Sequence, residues 1–287
     1  MTLMHMSLLF LTNSNSMMVK RVLYPGESWV YYKIYCSPRT ADKLLSGPVK
    51  DLVEQLKEKD LIKKWFFIRY QDPDYHIRLR LERSSKSDLD AIFHHVNHGL
   101  AYYLDHQLIY KIQLDTYIRE IERYGEHTIE FCEEIFHLDS ELALAITALG
   151  LSDQQLLAYT LDQMKYYVES FALPDDQAKQ FYKDRRNDFY EEFGIKGKQK
   201  VAFRRKYEKD REGIEQFVIA QLPCYQLIQK ERSSIKELII DILHVLTLKE
   251  PNKESLLASI IHMSINRIYR DEQRVFEMLC YDYLNRL

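Results

Sequence analysis

The chain has 287 residues, 46% hydrophobic and 29% charged, the balance of a soluble globular protein with one large domain or two small ones. A formal net charge of −3 excludes the broad basic field of a chain whose main partner is nucleic acid or an anionic membrane. Cys36, Cys132, Cys224 and Cys280 stand far apart with no CxxC spacing, so neither a zinc site nor a disulfide framework is expected, and reduced thiols in the cytoplasm are.

No segment reaches the ~18 apolar residues of a membrane span. Residues 7–12 are apolar but lack a basic n-region, so no secretory signal is expected. Met17 or Met18 is an alternative start, and residues 1–28 read as an N-terminal extension without fixed structure. From Trp29 to Cys36 (WVYYKIYC) an aromatic and β-branched run predicts a strand. A helical pattern follows from Pro38 through Leu56, and Pro48 should kink or split it. Trp65 to Tyr70 predicts a second strand. The turn residues Gln71, Asp72, Pro73 and Asp74 join it to a third, His76 to Glu82, as a hairpin. Ser87 is the expected cap of a helix reaching Leu104, and Leu108 to Tyr117 supplies a fourth strand.

This β-α-β-β-α-β order predicts an α+β protein with a ferredoxin-like antiparallel sheet and helices on one face. After Tyr117, apolar positions recur at three and four residues over 127–150, 153–171, 175–209, 213–230, 234–248 and 253–286. Residues 29–287 are therefore expected to form one domain, a sheet module (29–117) packed on a helical module (118–287).

Three clusters carry candidate chemistry. Alternation in the third strand puts Ile77, Leu79 and Leu81 on one face and His76, Arg78 and Arg80 on the other. Two neighbouring guanidiniums call for an anion or a carboxylate; the competing reading is the solvated outer face of an antiparallel sheet. In 115–125 (DTYIREIERYG), a helix from about Thr116 would set Glu120 and Arg123 on one side, and Arg119 one turn from Arg123. The competing reading there is a surface helix laced with ion pairs. Near the C-terminus, His262, Asn266 and Tyr269 or Arg270 share a helical face, although a lone histidine is more often structural. Phosphate-loop, GxSxG and HExxH patterns are absent, which removes the common nucleotide-binding and hydrolase classes.

The strings WFFIRYQDPDYHIRLRL (65–81), DTYIREIERYG (115–125) with EEIFHLDS (133–140), and SIIHMSINRI (259–268) resemble the small elimination domain of class I lanthipeptide dehydratases. The same domain stands alone among thiopeptide-type bacteriocin biosynthesis proteins, and the resemblance covers roughly Trp29 to Leu287. It implies a lyase that removes glutamate from glutamylated Ser or Thr of a ribosomally made precursor peptide, leaving dehydroalanine or dehydrobutyrine. The family's elimination residues fall on Arg78, Arg80, Glu120, Arg123 and His262. Arginines would hold the glutamyl group and developing charge, His262 would move a proton, and Glu120 would orient an arginine.

No metal or other cofactor is implied. The implied partners are the precursor peptide, a separate tRNA-dependent glutamylating subunit acting in trans and a lanthipeptide cyclase. A homodimer is compatible with the reading, and direct nucleic-acid contact is not expected. Two positions depart from the family pattern: Glu126 follows Gly125 where a second glycine is common, and Ser264 replaces a second histidine. Two rival readings stay open, a thiopeptide-type [4+2] pyridine synthase on the same scaffold and a non-catalytic subunit that binds the leader peptide.

Overall fold

The computed structural model describes residues 19–246 and 252–287. The expected unstructured stretch over 1–18 and the end of the helix predicted to reach 248 lie outside them. Residues 19–28 are not a loose extension, because β1 (Val22–Leu23) pairs with β6 (Tyr117–Ile118), Val22 opposite Ile118.

Four strands build the main sheet: β2 (Trp29–Cys36), β3 (Ile62–Gln71), β4 (Tyr75–Arg83) and β5 (Ile109–Asp115). They lie in the order β3-β4-β2-β5 with antiparallel pairing throughout. The two strands central in space are thus the first and third of the four in sequence, the ferredoxin-like arrangement. The first crossover holds α1 (Pro38–Leu44), a single π-helical turn over 45–49 that contains Pro48, and α2 (Lys50–Glu58). Pro48 has no N–H to continue the ladder, and the helix splits there as expected. The second crossover is α3 (Leu89–Asp105). Its approach is capped by Ser85 and not Ser87, with the reciprocal Ser85–Asp88 box closing a 3₁₀ turn before it.

The face carrying Ile77, Leu79 and Leu81 is fully buried, and Tyr32, in register with Leu79, meets Phe93 of α3 edge-on at 6.4 Å between ring centroids. Helices therefore cover the face that strand alternation chose. The opposite face is no solvated surface, since Phe66, in register with Arg80, packs on Phe136 of the helical half at 5.4 Å.

Beyond the sheet the expected helix from Thr116 is not formed. Residues 117–118 are spent on pairing with β1, and only α4 (Ile121–Tyr124) follows. Then come α5 (Ile129–Leu149), α6 (Asp153–Ser170), α7 (Asp175–Glu192), α8 (Gly197–Gln216), α9 (Tyr225–Leu246), α10 (Lys253–Ile268) and α11 (Gln273–Leu284). The predicted 175–209 helix breaks at Gly194, whose φ of +61° suits glycine at a helix end. The predicted 213–230 helix is interrupted over 217–224, which holds a 3₁₀ turn (Ile219–Gln221) and Pro223, and 253–286 breaks before Glu272, at φ +49°.

The helical half is fastened to the free edge of β3. The Phe67 and Arg69 N–H groups donate to Ser140 Oγ (3.2 Å) and Asn266 Oδ1 (2.9 Å), and the carbonyls of Phe67 and Arg69 accept from Arg267 Nε (2.9 Å) and Asn266 Nδ2 (2.8 Å). Arg267, wholly buried, also pairs with Asp139 at 2.9 Å. Asp139 in turn accepts from Tyr167 and Ser264.

Removing one partner of such a pair strands the other charge without water. Arg267→Met should cost about 3–5 kcal/mol in denaturant unfolding. Ile77→Ala should cost roughly 2–5 kcal/mol through lost burial. A change below about 1 kcal/mol in either would contradict this packing.

Candidate active site

Among the described residues four arginines are buried, and their differing partners define the site: Arg69, Arg80, Arg119 and Arg267. Arg69 pairs with Asp42 at 2.7 Å, Arg119 grips Glu133 with two nitrogens at 2.7 Å each, and Arg267 pairs with Asp139. Arg80, 8% exposed, has no carboxylate partner among the described residues, and its buried Nε finds no acceptor. What surrounds it is aromatic. The guanidinium lies over Tyr31 (4.5 Å), Tyr117 (4.6 Å) and Phe66 (5.2 Å). Ring faces recover part of the desolvation of a cation, about 2 kcal/mol where water is excluded, but they do not neutralise it. A guanidinium so placed retains a strong demand for an anion.

Two residues along β4, Arg78 stacks on Tyr70 at 3.3 Å and donates from Nε to Nε2 of His76 at 3.2 Å. It is half-buried and likewise has no carboxylate partner among the described residues. The strand register explains this sharing of one face. Tyr31 and Phe66 flank Arg80, while Lys33 and Ile68 flank Arg78. Lys33 is committed to Asp115 across the sheet, which holds that carboxyl below its usual range against the opposing effect of burial.

Tyr117 is fixed from behind, its hydroxyl donating to Glu133 Oε1 at 2.8 Å. Burial foremost, and Glu133 beside it, push the Tyr117 phenol well above its ordinary value, so it stays a donor. Burial works to lower the Arg119 guanidinium, but the bonds and charge of Glu133 outweigh it.

The other three candidates lie elsewhere along the same cluster of rings. Glu120 precedes α4 and Arg123 is on it; both are exposed, and they pair at 3.2 Å. Arg119 turns the opposite way, into the core, and does not stand beside Arg123. His262 of α10 is partly buried, with Nδ1 at 2.7 Å from Oε2 of the buried Glu277 of α11. A carboxylate oxygen accepts, so Nδ1 carries the hydrogen and Nε2 is left for other partners. Arg123 and His262 share one cavity of about 300 Å³, which Arg185, Asp188, Arg274 and Glu277 also line.

The structure thus brings Arg78 and Arg80 together, and Glu120, Arg123 and His262 together. Among the described residues no hydrogen bond or ion pair joins the two groups. What connects them is packing: Phe66, over which Arg80 lies, touches Phe136 at 5.4 Å, and Phe136 touches Tyr124, next to Arg123, at 5.2 Å.

The expected C-terminal face separates. Asn266 clamps the backbone of Arg69, Tyr269 is buried and stacked on Phe276 at 4.1 Å, and Arg270 pairs with Asp42. Ser264, one of the departures from the family pattern, is buried and donates to Asp139, so it belongs to the core. Sequence reasoning missed Glu277, Glu133 and the ring cage of Arg80. Tyr31 and Phe66 could have been found from strand alternation once the register was known; Glu133 opens the 133–140 string but carried no role there, and no local pattern marks Glu277. Among the described residues no group of three or more His, Cys, Asp or Glu side chains is placed to hold a metal ion, and no helix is long and apolar enough to cross a membrane.

Residues 29–287 match the family described as lantibiotic biosynthesis dehydratase, C-terminal part, and the chain belongs to that family. It is similar to the subtilin biosynthesis protein SpaB of Bacillus subtilis, 26% identical over 185 residues, which are 58% of this chain and 18% of SpaB. The chain therefore spans about a fifth of the length of that relative. Its fold is that of the tRNA-dependent lantibiotic dehydratase MibB from Microbispora sp. 107891, with a TM-score of 0.67 at 20% identity over 91% of this chain and 28% of MibB. It is also that of the pyridine synthase TbtD from thiomuracin biosynthesis, with a TM-score of 0.64 at 14% identity over 90% of this chain and 96% of TbtD.

Glu133 ties two elements at once, holding Arg119 and the Tyr117 that lies under Arg80. Glu133→Ala should cost about 3–5 kcal/mol, because it leaves the buried Arg119 only the exposed Glu130 at 3.5 Å and takes the acceptor from the Tyr117 hydroxyl. Combining it with Arg119→Met should recover most of that loss in a double-mutant cycle. Simple additivity of the two changes would contradict the pairing.

Proposed function

We propose that the protein is a lyase that eliminates glutamate from glutamylated Ser or Thr in a ribosomally made peptide. Dehydroalanine or dehydrobutyrine is the product, and a separate glutamylating protein supplies the substrate. The observation that carries this reading is Arg80, the one buried arginine among the described residues without a carboxylate, beside Arg78 on the same strand face.

In the reaction a base removes the Cα proton, the freed electron pair forms Cα=Cβ, the Cβ–O bond breaks, and glutamate departs with that oxygen as its carboxylate. The leaving group is an anion and the glutamyl side chain is another, so the step suits planar guanidinium forks in a water-poor site. Arg78 and Arg80 hold the carboxylates and the charge that develops on departure. His262 takes the Cα proton on Nε2, with Glu277 stabilising the imidazolium through Nδ1. Arg123 addresses the peptide from the shared cavity, and Glu120 sets its orientation through their 3.2 Å pair.

A second reading draws on TbtD, called a pyridine synthase, which this chain covers over 96% of its length. A cycloaddition between two dehydroalanines expels no glutamate and gives Arg80 no anion to hold, so elimination is favoured. The assay separates them. A glutamylated peptide incubated with this protein alone should lose the whole glutamate by mass spectrometry and end one water lighter than the unmodified peptide. Persistence of the glutamylated species with folded protein and its proper leader would refute elimination; conversion of a bis-dehydroalanine peptide would instead support the synthase.

Arg78→Ala and Arg80→Ala should each lower elimination kcat/KM by an amount equivalent to roughly 2–4 kcal/mol, as for loss of a donor to a developing oxyanion. Thermal unfolding should show both variants folded. Wild-type rates in either would remove that arginine from the mechanism.

A further inference from the structure

We propose that His76 is the positioning residue for Arg78, holding its guanidinium in a ligand-ready orientation through a neutral imidazole. This rests on the elimination reading for its functional consequence, though not for its geometry.

His76 is fully buried on the arginine-bearing face of β4. Its Nδ1 lies 2.8 Å from the carbonyl of Asp74 in the hairpin turn, and its Nε2 lies 3.2 Å from Nε of Arg78. A carbonyl only accepts and a guanidinium only donates. Both contacts are satisfied together only by a neutral imidazole with its hydrogen on Nδ1. Tyr35 of β2 packs on the ring at 4.7 Å and Tyr70 of β3 at 5.6 Å.

Arg78 is thereby held twice, on its face by Tyr70 at 3.3 Å and on its edge by His76. Its terminal nitrogens make no hydrogen bond or ion pair among the described residues. A guanidinium fixed through Nε with both terminal nitrogens open is a fork ready for a carboxylate, with its side-chain entropy already lost.

The device has a built-in sensitivity. Protonated, His76 would present an N–H to the Arg78 cation in place of a lone pair, and the bond would become a repulsion. Burial foremost, then Arg78 and Lys33, push the imidazole below its ordinary value of 6.5, against the opposing pull of the Asp74 carbonyl and the Asp72 carboxylate. Besides these charges, Tyr35 and Tyr70 face the ring. The neutral state is therefore the resting one at neutral pH. It is lost as pH falls below that lowered value.

The test uses the full chain and two substitutions. His76→Phe keeps the packing between Tyr35 and Tyr70 but removes the acceptor, and should lower elimination kcat/KM by about tenfold or more. His76→Gln restores an acceptor that does not titrate and should recover most of that loss. The ratio of His76→Gln to wild-type kcat/KM should climb as pH falls through the lowered value of the His76 imidazole, because only the wild type loses its acceptor.

A readout independent of activity keeps the geometry testable. Nitrogen NMR of the wild-type protein at neutral pH should show His76 protonated on Nδ1 and bare on Nε2. It should also show a slowly exchanging Arg78 Nε–H that disappears in His76→Phe. Should the protein fail to eliminate glutamate while these signals are present, the functional reading falls and the positioning stands. An Nε2-protonated His76, or a flat pH ratio in an active enzyme, would overturn the proposal. If His76→Phe fails to fold, the wild-type spectrum and the His76→Gln profile still decide it.

Discussion

Everything in this molecule depends on how the free edge of β3 is closed. A sheet edge presents unpaired N–H and C=O groups that must be covered or solvated. Among the described residues no further strand covers it; side chains from α5 and α10 do. Asn266 both accepts from and donates to Arg69, as a neighbouring strand would, and Arg267 and Ser140 serve Phe67. The arrangement requires a buried cation, which requires Asp139, which Tyr167 and Ser264 then satisfy. Because side-chain bonds at 2.8–3.2 Å tolerate little slippage, α5 and α10 are set against the sheet in one register. His262 lies one helical turn before Asn266, so the clamp that holds the sheet also fixes the histidine.

The contrast among the arginines sets one face of the sheet apart. Arg69, Arg119 and Arg267 are buried with their counter-ions inside the fold. Arg80 is buried without one and is cushioned by three rings, at a cost that the sheet core does not require. A charge kept desolvated and unpaired is a preorganised site for an external anion, since little solvent remains to reorganise when the anion arrives. The chain belongs over residues 29–287 to the lantibiotic biosynthesis dehydratase family, and the elimination proposed above would bring such an anion to Arg80.

Much of this could be read from the chain. Two-residue alternation placed Ile77, Leu79 and Leu81 in the core and Arg78 and Arg80 opposite them, and Pro48 split its helix where ring geometry demanded. The same alternation left open whether the arginine face was solvated. Only the packing of Phe66 on Phe136, seventy residues away, decides that. Helical periodicity around 116–124 failed because β1 competes for Tyr117 and Ile118, and pairing with a distant segment leaves no local trace. For the same reason Asn266 looked like a companion of His262 on one helical face, while its side chain serves the backbone of β3. Strand alternation carried His76 to the arginine-bearing face, but which of its nitrogens carries the hydrogen depends on the carbonyl of Asp74, which only the hairpin geometry supplies.

The most direct measurement is a structure of this protein with a peptide whose glutamyl group is joined through an amide, which cannot be eliminated. The account predicts the glutamyl carboxylate within hydrogen-bond reach of Arg78 and Arg80, against Tyr31 and Tyr117, with the peptide Cα–H turned toward Nε2 of His262. A glutamyl group bound away from β4, with Arg80 still bare among its rings, would contradict it.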